Sequence, residues 1–161
     1  MMLTRRVLIA LALIAGAACS QSRTDFTPEQ KTNFSIDSLN ARLSAAYHNR
    51  DPKAYAALFT DSAVFEWPAF NSPRGPTQLA NMARDNWSAE RDVELRLNVS
   101  MRRLASDHAT EFGAFQQAWT DSSGARMIEY GRYATYLVRS ANGSWRMERW
   151  LGFEDSTRRA R

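Results

Sequence analysis

Two strand-like runs on either side of Asn142-Gly143 constrain this chain more than any other feature. Residues 130–139 read Tyr-Gly-Arg-Tyr-Ala-Thr-Tyr-Leu-Val-Arg, and 145–153 read Trp-Arg-Met-Glu-Arg-Trp-Leu-Gly-Phe. Both are rich in aromatic and β-branched side chains. Asn-Gly tolerates positive φ at both positions and so favours the tight turn of an antiparallel hairpin. A hairpin alone is marginal in water, so this one needs other elements laid across one face.

The preceding chain supplies them. From 35 to 50, Ile36, Leu39, Leu43, Ala46 and Tyr47 form a stripe at three- and four-residue spacing, the pattern of a helix with one buried side. Asn33 or Ser35 suits its cap, and it stops at Asp51-Pro52, which suits the start of another helix. The spacing predicts a short second helix burying Ala54, Tyr55, Leu58 and Phe59, then a strand over 63–67 closed by Pro68. A loop over 69–76 carries Pro73, Gly75 and Pro76. A third helix over 76–87 puts Leu79, Met82, Ala83 and Trp87 on one side. The period then changes to two. Val93, Leu95, Leu97, Val99 and Met101 alternate with Glu94, Arg96, Asn98, Ser100 and Arg102, the mark of a strand with one face buried. Turns at 106–108 and 121–124 bracket a further strand over 110–119. Three helices and an early strand followed by four long strands in meander define an α+β domain, helices on one face of a mostly antiparallel sheet. A strongly curved sheet covered in this way encloses a cavity, where a ligand would sit.

The 161 residues carry a net charge of +4, but much of the excess is terminal. Residues 33–155 hold 14 Lys and Arg against 15 Asp and Glu, a net of −1. A near-neutral domain offers no footprint for nucleic acid. The basic end, 156–161, reads as a solvated tail. At the other end, 1–18 has the layout of an export leader: Arg5-Arg6, an apolar run from Val7 to Ile14, and the small residues Ala15-Gly16-Ala17-Ala18. The run is too short for a permanent membrane span. The small residues end at Cys19, the only cysteine, which rules out an internal disulfide. This junction resembles the lipobox of bacterial lipoproteins, in which the cysteine becomes the lipidated first residue. Gly16 departs from that pattern, where a larger aliphatic residue is usual. Ordinary cleavage near Ala18, giving a soluble periplasmic or secreted protein, is the alternative. Lipidation at Cys19 would be the sole contact with a membrane, and Ser20, in place of Asp, resembles lipoproteins sent to the outer membrane. Residues 19–32 are polar and aperiodic and read as a tether, which leaves 33–155 as the domain.

Over about 34–154 the chain resembles the NTF2-like superfamily, and within it SnoaL-like and DUF4440-type domains. The resemblance rests on Asp51-Pro52-Lys53-Ala54-Tyr55-Ala56-Ala57-Leu58-Phe59-Thr60-Asp61-Ser62-Ala63-Val64, on Gly75 before the third helix, and on Gly131-Arg132-Tyr133 with Asn142-Gly143-Ser144-Trp145-Arg146-Met147. It implies a cone-shaped domain with an apolar pocket, commonly dimeric through the outer sheet face. Its members include isomerases, cyclases and dehydratases.

Ketosteroid isomerase, the best-understood enzyme of this fold, uses an Asp base with an oxyanion hole of a Tyr and a protonated Asp. Laid on that pattern, the base position falls on Trp67, the tyrosine on Leu43 and the protonated acid on Thr135. An indole and an isobutyl group exchange no proton, and a threonine hydroxyl is a weak substitute. That chemistry is therefore not expected. His48 and His108 lie far apart in sequence and suit solvated structural roles, so neither a metal site nor a cofactor site is expected. With Asn142-Gly143 as a two-residue turn, Thr135 faces Trp150 and Leu137 faces Glu148. Tyr133, Leu137, Glu148 and Trp150 then share the pocket face with Thr135. Glu148 there is either an acid or base with a raised pKa or the partner of an arginine at a wet mouth. A one-residue slip would move the whole set outward. Asp61 is a second acid–base candidate or a turn residue.

Three functions follow. The first is a small apolar ligand held without catalysis by Leu43, Tyr47, Trp67, Met82, Trp87, Tyr133, Thr135 and Trp150, in an exported domain of the bacterial envelope. The second is a SnoaL-like enzyme using Glu148 or Asp61. The third is a structural envelope protein that pairs with a second copy, or docks a partner, through Tyr130, Tyr136 and Val138 on the outer sheet face.

Overall fold

The structure, a computed structural model, describes residues 25–68 and 71–160. The leader, Cys19 and the first part of the tether segment lie outside them.

Helix α1 spans Pro28–Asn49, and it begins earlier than its apolar stripe. The Gln30 amide donates to the Thr27 hydroxyl at 3.2 Å, and the Thr27 amide donates to the Gln30 side chain at 2.8 Å. This reciprocal capping box, with Pro28 in the first turn, starts the helix without apolar periodicity. Residues 28–32 are thus helix rather than tether. Arg50 ends α1 in the left-handed conformation at φ 48°. Asp51 then caps α2, Pro52–Ala56, accepting from the Lys53 and Ala54 amides at 3.0 and 2.9 Å. Leu58 and Phe59 are buried as expected but not as helix. Strand β1, Phe59–Glu66, begins there because the Leu58 carbonyl is taken by the Met147 amide at 2.9 Å. Helix α3, Gly75–Ser88, opens at Gly75 with φ 67°, a conformation that glycine adopts freely.

The four long strands are β2 (Arg91–Leu104), β3 (His108–Thr120), β4 (Arg126–Arg139) and β5 (Trp145–Arg159). The sheet order is β1-β5-β4-β3-β2, with β1 parallel to β5 and the remaining pairs antiparallel. Helices α1, α2 and α3 sit on the concave side of this curved sheet. Their buried residues Ile36, Leu39, Leu43, Tyr55, Leu79 and Trp87 form one core with Val93, Phe115, Leu137 and Met147 from the strands.

Two bulges re-aim side chains. In β2, Val99 pairs with Gly113 and Met101 with Phe112, which leaves Ser100 unpaired while its hydroxyl donates to the Phe112 carbonyl at 3.0 Å. Beyond this point the alternation inverts. Met101 is exposed, whereas Arg102, expected on the polar face, turns inward opposite Glu111. In the closing hairpin the turn is a five-residue loop, with the Gly143 amide on the Ser140 carbonyl at 2.8 Å and the Ser140 amide on the Ser144 carbonyl at 2.8 Å. Leu137 accordingly pairs with Met147, not Glu148. Glu148 is the extra residue of a bulge, after which Thr135 faces Trp150 as the sequence suggests.

Strand β5 also runs on past Phe153. Arg158 and Arg159 pair with Ile128 and Met127, and the Arg158 guanidinium lies 5.3 Å from the Tyr130 ring centroid. These arginines are the last rungs of a ladder, not a loose tail, because β4 begins early enough to pair with them.

Candidate functional site

Between the helices and the inner sheet face lies a cavity of about 490 Å³. Its walls are aromatic because each covering element contributes an inward ring. Tyr47 of α1, Tyr55 of α2 and Trp87 of α3 meet edge to face, with ring centroids 5.1 to 5.8 Å apart. Phe65 of β1 lies parallel to Trp67 at 6.0 Å and to Trp150 at 6.3 Å. Trp119 of β3 and Met82 of α3 complete the apolar lining, and a second, far smaller space beside it is lined by Leu43, Leu95, Phe115 and Trp150 and shares Tyr47, Tyr55, Phe65 and Trp67 with the first.

The polar part of the wall is acidic. Glu90, at the junction of α3 and β2, and Glu129, in β4, both line the cavity, with Gln117, Asp85 and Asn86 beside them. Burial pushes the Glu90 carboxyl up to about 7. Burial also pushes Glu129 up to about 7, with the charges of Glu154 and Glu90 adding to the shift. The Tyr47 phenol is raised by burial and then by Glu129 and Glu90, and that of Tyr55 by burial and then by Tyr47. The site is therefore a hydrophobic chamber with two carboxyl groups raised toward neutral pH, beside two phenols that stay protonated. Such a set can accept and release protons, and it can bind hydrogen-bond donors. Among the described residues no group of three or more His, Cys, Asp and Glu is arranged to hold a metal ion.

Of the residues expected to line a pocket, Tyr47, Trp67, Met82 and Trp87 line this cavity, and Leu43 and Trp150 line the smaller space beside it. Tyr133 and Thr135 face the same side of the sheet but are engaged elsewhere. The Thr135 hydroxyl donates to the Arg149 carbonyl at 2.7 Å. Tyr133 stacks on Trp150 at 4.7 Å and gives its hydroxyl proton to Glu111 at 2.7 Å. Neither Glu148 nor Asp61 reaches the cavity: Glu148 accepts from Ser62 at 3.2 Å at the bulge, and Asp61 is an exposed residue of β1.

Glu111 belongs to a second, closed polar cluster. Its carboxylate has no exposed surface, and it accepts from Asn40 at 2.9 Å, from Arg102 Nε at 2.8 Å and from Tyr133. Arg102 continues to Asp37 at 2.7 Å and to the Asn33 side chain at 2.9 Å. Every member is satisfied, and the cluster binds α1 to three strands.

The sequence reading passed over Glu90, Glu129 and Glu111. Glu129 carried a usable signal, because it alternates in step with Tyr133 and Thr135, which the sequence places on the inner face. Glu90 sits in a helix–strand junction, where periodicity says nothing.

A helical cone closed by a curved, mostly antiparallel sheet with a chamber at its centre is the NTF2-like fold. Residues 32–151 match the SnoaL-like domain model, and the chain belongs to that family. Among solved structures, a ketosteroid isomerase-like protein from Erwinia carotovora atroseptica superposes with a TM-score of 0.68 at 21% identity, covering 81% of this chain and 99% of the other. Hexachlorocyclohexane dehydrochlorinase type 3 from Novosphingobium barchaimii gives 0.70 at 13% identity, covering 82% and 92%. A candidate aromatic ring hydroxylase from Novosphingobium aromaticivorans gives 0.74 at 17% identity, covering 84% and 96%. At these identities the likeness is one of fold. No significant match was found among curated proteins.

Proposed function

We propose that the domain holds a small, mostly apolar molecule in the aromatic chamber, and that it works as a binding module of the bacterial envelope. The observation that carries this reading is the roughly 490 Å³ space walled by Tyr47, Tyr55, Phe65, Trp67, Trp87 and Trp119. Its size and aromatic lining suit a small ligand. The positions that perform proton transfer in ketosteroid isomerase fall on Trp67, Leu43 and Thr135, none of which is an acid or base at neutral pH. The leader-like layout of residues 1–18 and the lipobox-like junction at Cys19 support an envelope location, with lipidation of Cys19 as the membrane anchor on this reading. The test is tryptophan fluorescence of the full chain titrated with apolar small molecules, alongside Trp67→Phe. A saturable shift that changes in the variant is the expected result, and a flat response across the panel would sink the reading.

One observation favours a second reading, an enzyme that moves protons on its ligand. Glu90 and Glu129 share the chamber with carboxyl groups raised to about 7, where one can act as base while the other acts as acid. On this reading the double change Glu90→Gln and Glu129→Gln abolishes turnover of the bound compound. On the first reading no compound that binds is consumed.

A further inference from the structure

The described residues leave three buried side-chain polar atoms without a protein partner: the Tyr55 hydroxyl, Glu90 Oε2 and Glu129 Oε1. All three belong to residues that line the chamber, and they come from three separate elements, α2, the α3–β2 junction and β4. Among the described residues the other buried side-chain polar groups have partners, as the closed cluster around Glu111 shows. The three atoms have almost no accessible surface of their own, so they are not on the open face of the chamber, yet they leave the residues of its acidic end short of hydrogen-bond partners. The two carboxyls accept when ionised, so the complement of that end is a hydrogen-bond donor.

The surroundings specify the donor's charge. Among the described lining residues are Glu90, Glu129 and Asp85 but no Lys, Arg or His. The nearby Arg50 donates to the Glu90 backbone carbonyl at 2.8 Å and leaves that carboxylate free. Glu154 adds negative charge near Glu129 from β5, and the Tyr47 phenol faces both carboxyls. The walls beside this acidic end are the rings of Tyr47, Trp67, Trp87 and Trp119, whose π faces attract cations, most strongly when water is excluded.

We infer that the ligand is an organic cation, a small aromatic or alicyclic amine whose ammonium group lies at the acidic end of the chamber beside Glu90 and Glu129 while its hydrocarbon body fills the aromatic part. This rests on the proposal that the chamber holds a small molecule, and it names the class. A protonated primary amine supplies N–H donors for the two carboxylates, and its charge offsets their desolvation. A carboxylic acid of the same shape meets repulsion, and a hydrocarbon of the same shape leaves the acceptors unmet.

The experiment is a fluorescence or calorimetric titration of the full chain with 2-phenylethylamine, propylbenzene as its neutral isostere and 3-phenylpropionate as its anionic counterpart. The amine is expected to bind at least about ten-fold more tightly than propylbenzene, with the anion weakest. Amine affinity rises between pH 6 and 8 as Glu90 and Glu129 ionise, while propylbenzene shows no such change. The double variant Glu90→Gln and Glu129→Gln, verified as folded by its melting curve, loses the preference for amine but still binds propylbenzene. Equal binding of amine and hydrocarbon would overturn the inference and leave the chamber reading standing. No binding of any of the three would overturn both.

Discussion

Tyr133 gives its hydroxyl proton to Glu111 across 2.7 Å, and the carboxylate that receives it has no exposed surface. With Asn40 and Arg102 also donating to Glu111, one side chain joins a helix and three strands. Removing it would leave the Arg102 guanidinium, whose side chain is 9% exposed, only Asp37 and Asn33, and would leave Asn40 and the Tyr133 hydroxyl without their acceptor. Glu111→Ala is expected to destabilise the fold by about 3 kcal/mol, because buried donors lose their shared partner. Glu111→Gln, which keeps the shape, should cost less. Urea unfolding midpoints of the two variants check the order, and equal losses would mean that shape rather than charge holds the cluster.

The chamber acids predict an unusual dependence of stability on pH. Glu90 and Glu129 titrate near 7 in the folded protein, above the value of about 4.3 expected once unfolded. Between these values the folded state binds more protons than the unfolded state, so stability falls as pH rises through this range and is greater on the acid side. The melting temperature should therefore increase from pH 8 to about pH 5.5. Asp121, held below the usual carboxylate range mainly by Ser123, acts in the opposite sense only at more acid pH. The double change Glu90→Gln and Glu129→Gln should flatten the slope between pH 5.5 and 8.

Gly131 is needed for want of space. A Cβ at this position would lie 2.3 Å from both the Phe115 ring and the Phe153 carbonyl. Gly131→Ala should destabilise by about 1–3 kcal/mol through overpacking, and it should disturb the chamber because Phe115 packs on Trp67, whose ring centroid lies 5.7 Å away. Thermal melts with near-ultraviolet circular dichroism read both effects.

The outer sheet face is expected to mediate pairing of two copies. Phe112 is 39% exposed and Tyr136 37%, and Met101 stands opposite Phe112 on the same face. Phe112→Asp should shift the species seen by sedimentation equilibrium from dimer to monomer. A wild-type protein that sediments as a monomer across a wide concentration range would remove this interface.

The fold was legible because its signals are local. Asp51-Pro52 marks a helix start, a two-residue period marks the sheet strands, and Asn142-Gly143 marks a turn. The chamber walls were legible in part, since Trp67, Met82, Trp87 and Trp150 follow from those periods. What escaped depends on single-residue register. A bulge adds one residue with no compositional mark, so Ser100 and Glu148 silently reversed the facing of Arg102 and changed the partner of Leu137. The acidic pole of the chamber was hidden for a related reason: parity carried inward-facing residues back from Thr135 to Tyr133 but was not followed as far as Glu129.

Strand β5 lies between β1 and β4, hydrogen-bonded to both. The first strand of the sheet therefore has no strand neighbour until the last fifteen residues of the domain are in place. Chains ending before Trp145 can lay α1 on β2, but β1 has no partner strand, and ribosome-bound intermediates of that length should remain protease-sensitive over β1. Assembly waits on contacts between distant parts of the chain, which makes folding slow relative to a helical bundle of similar length.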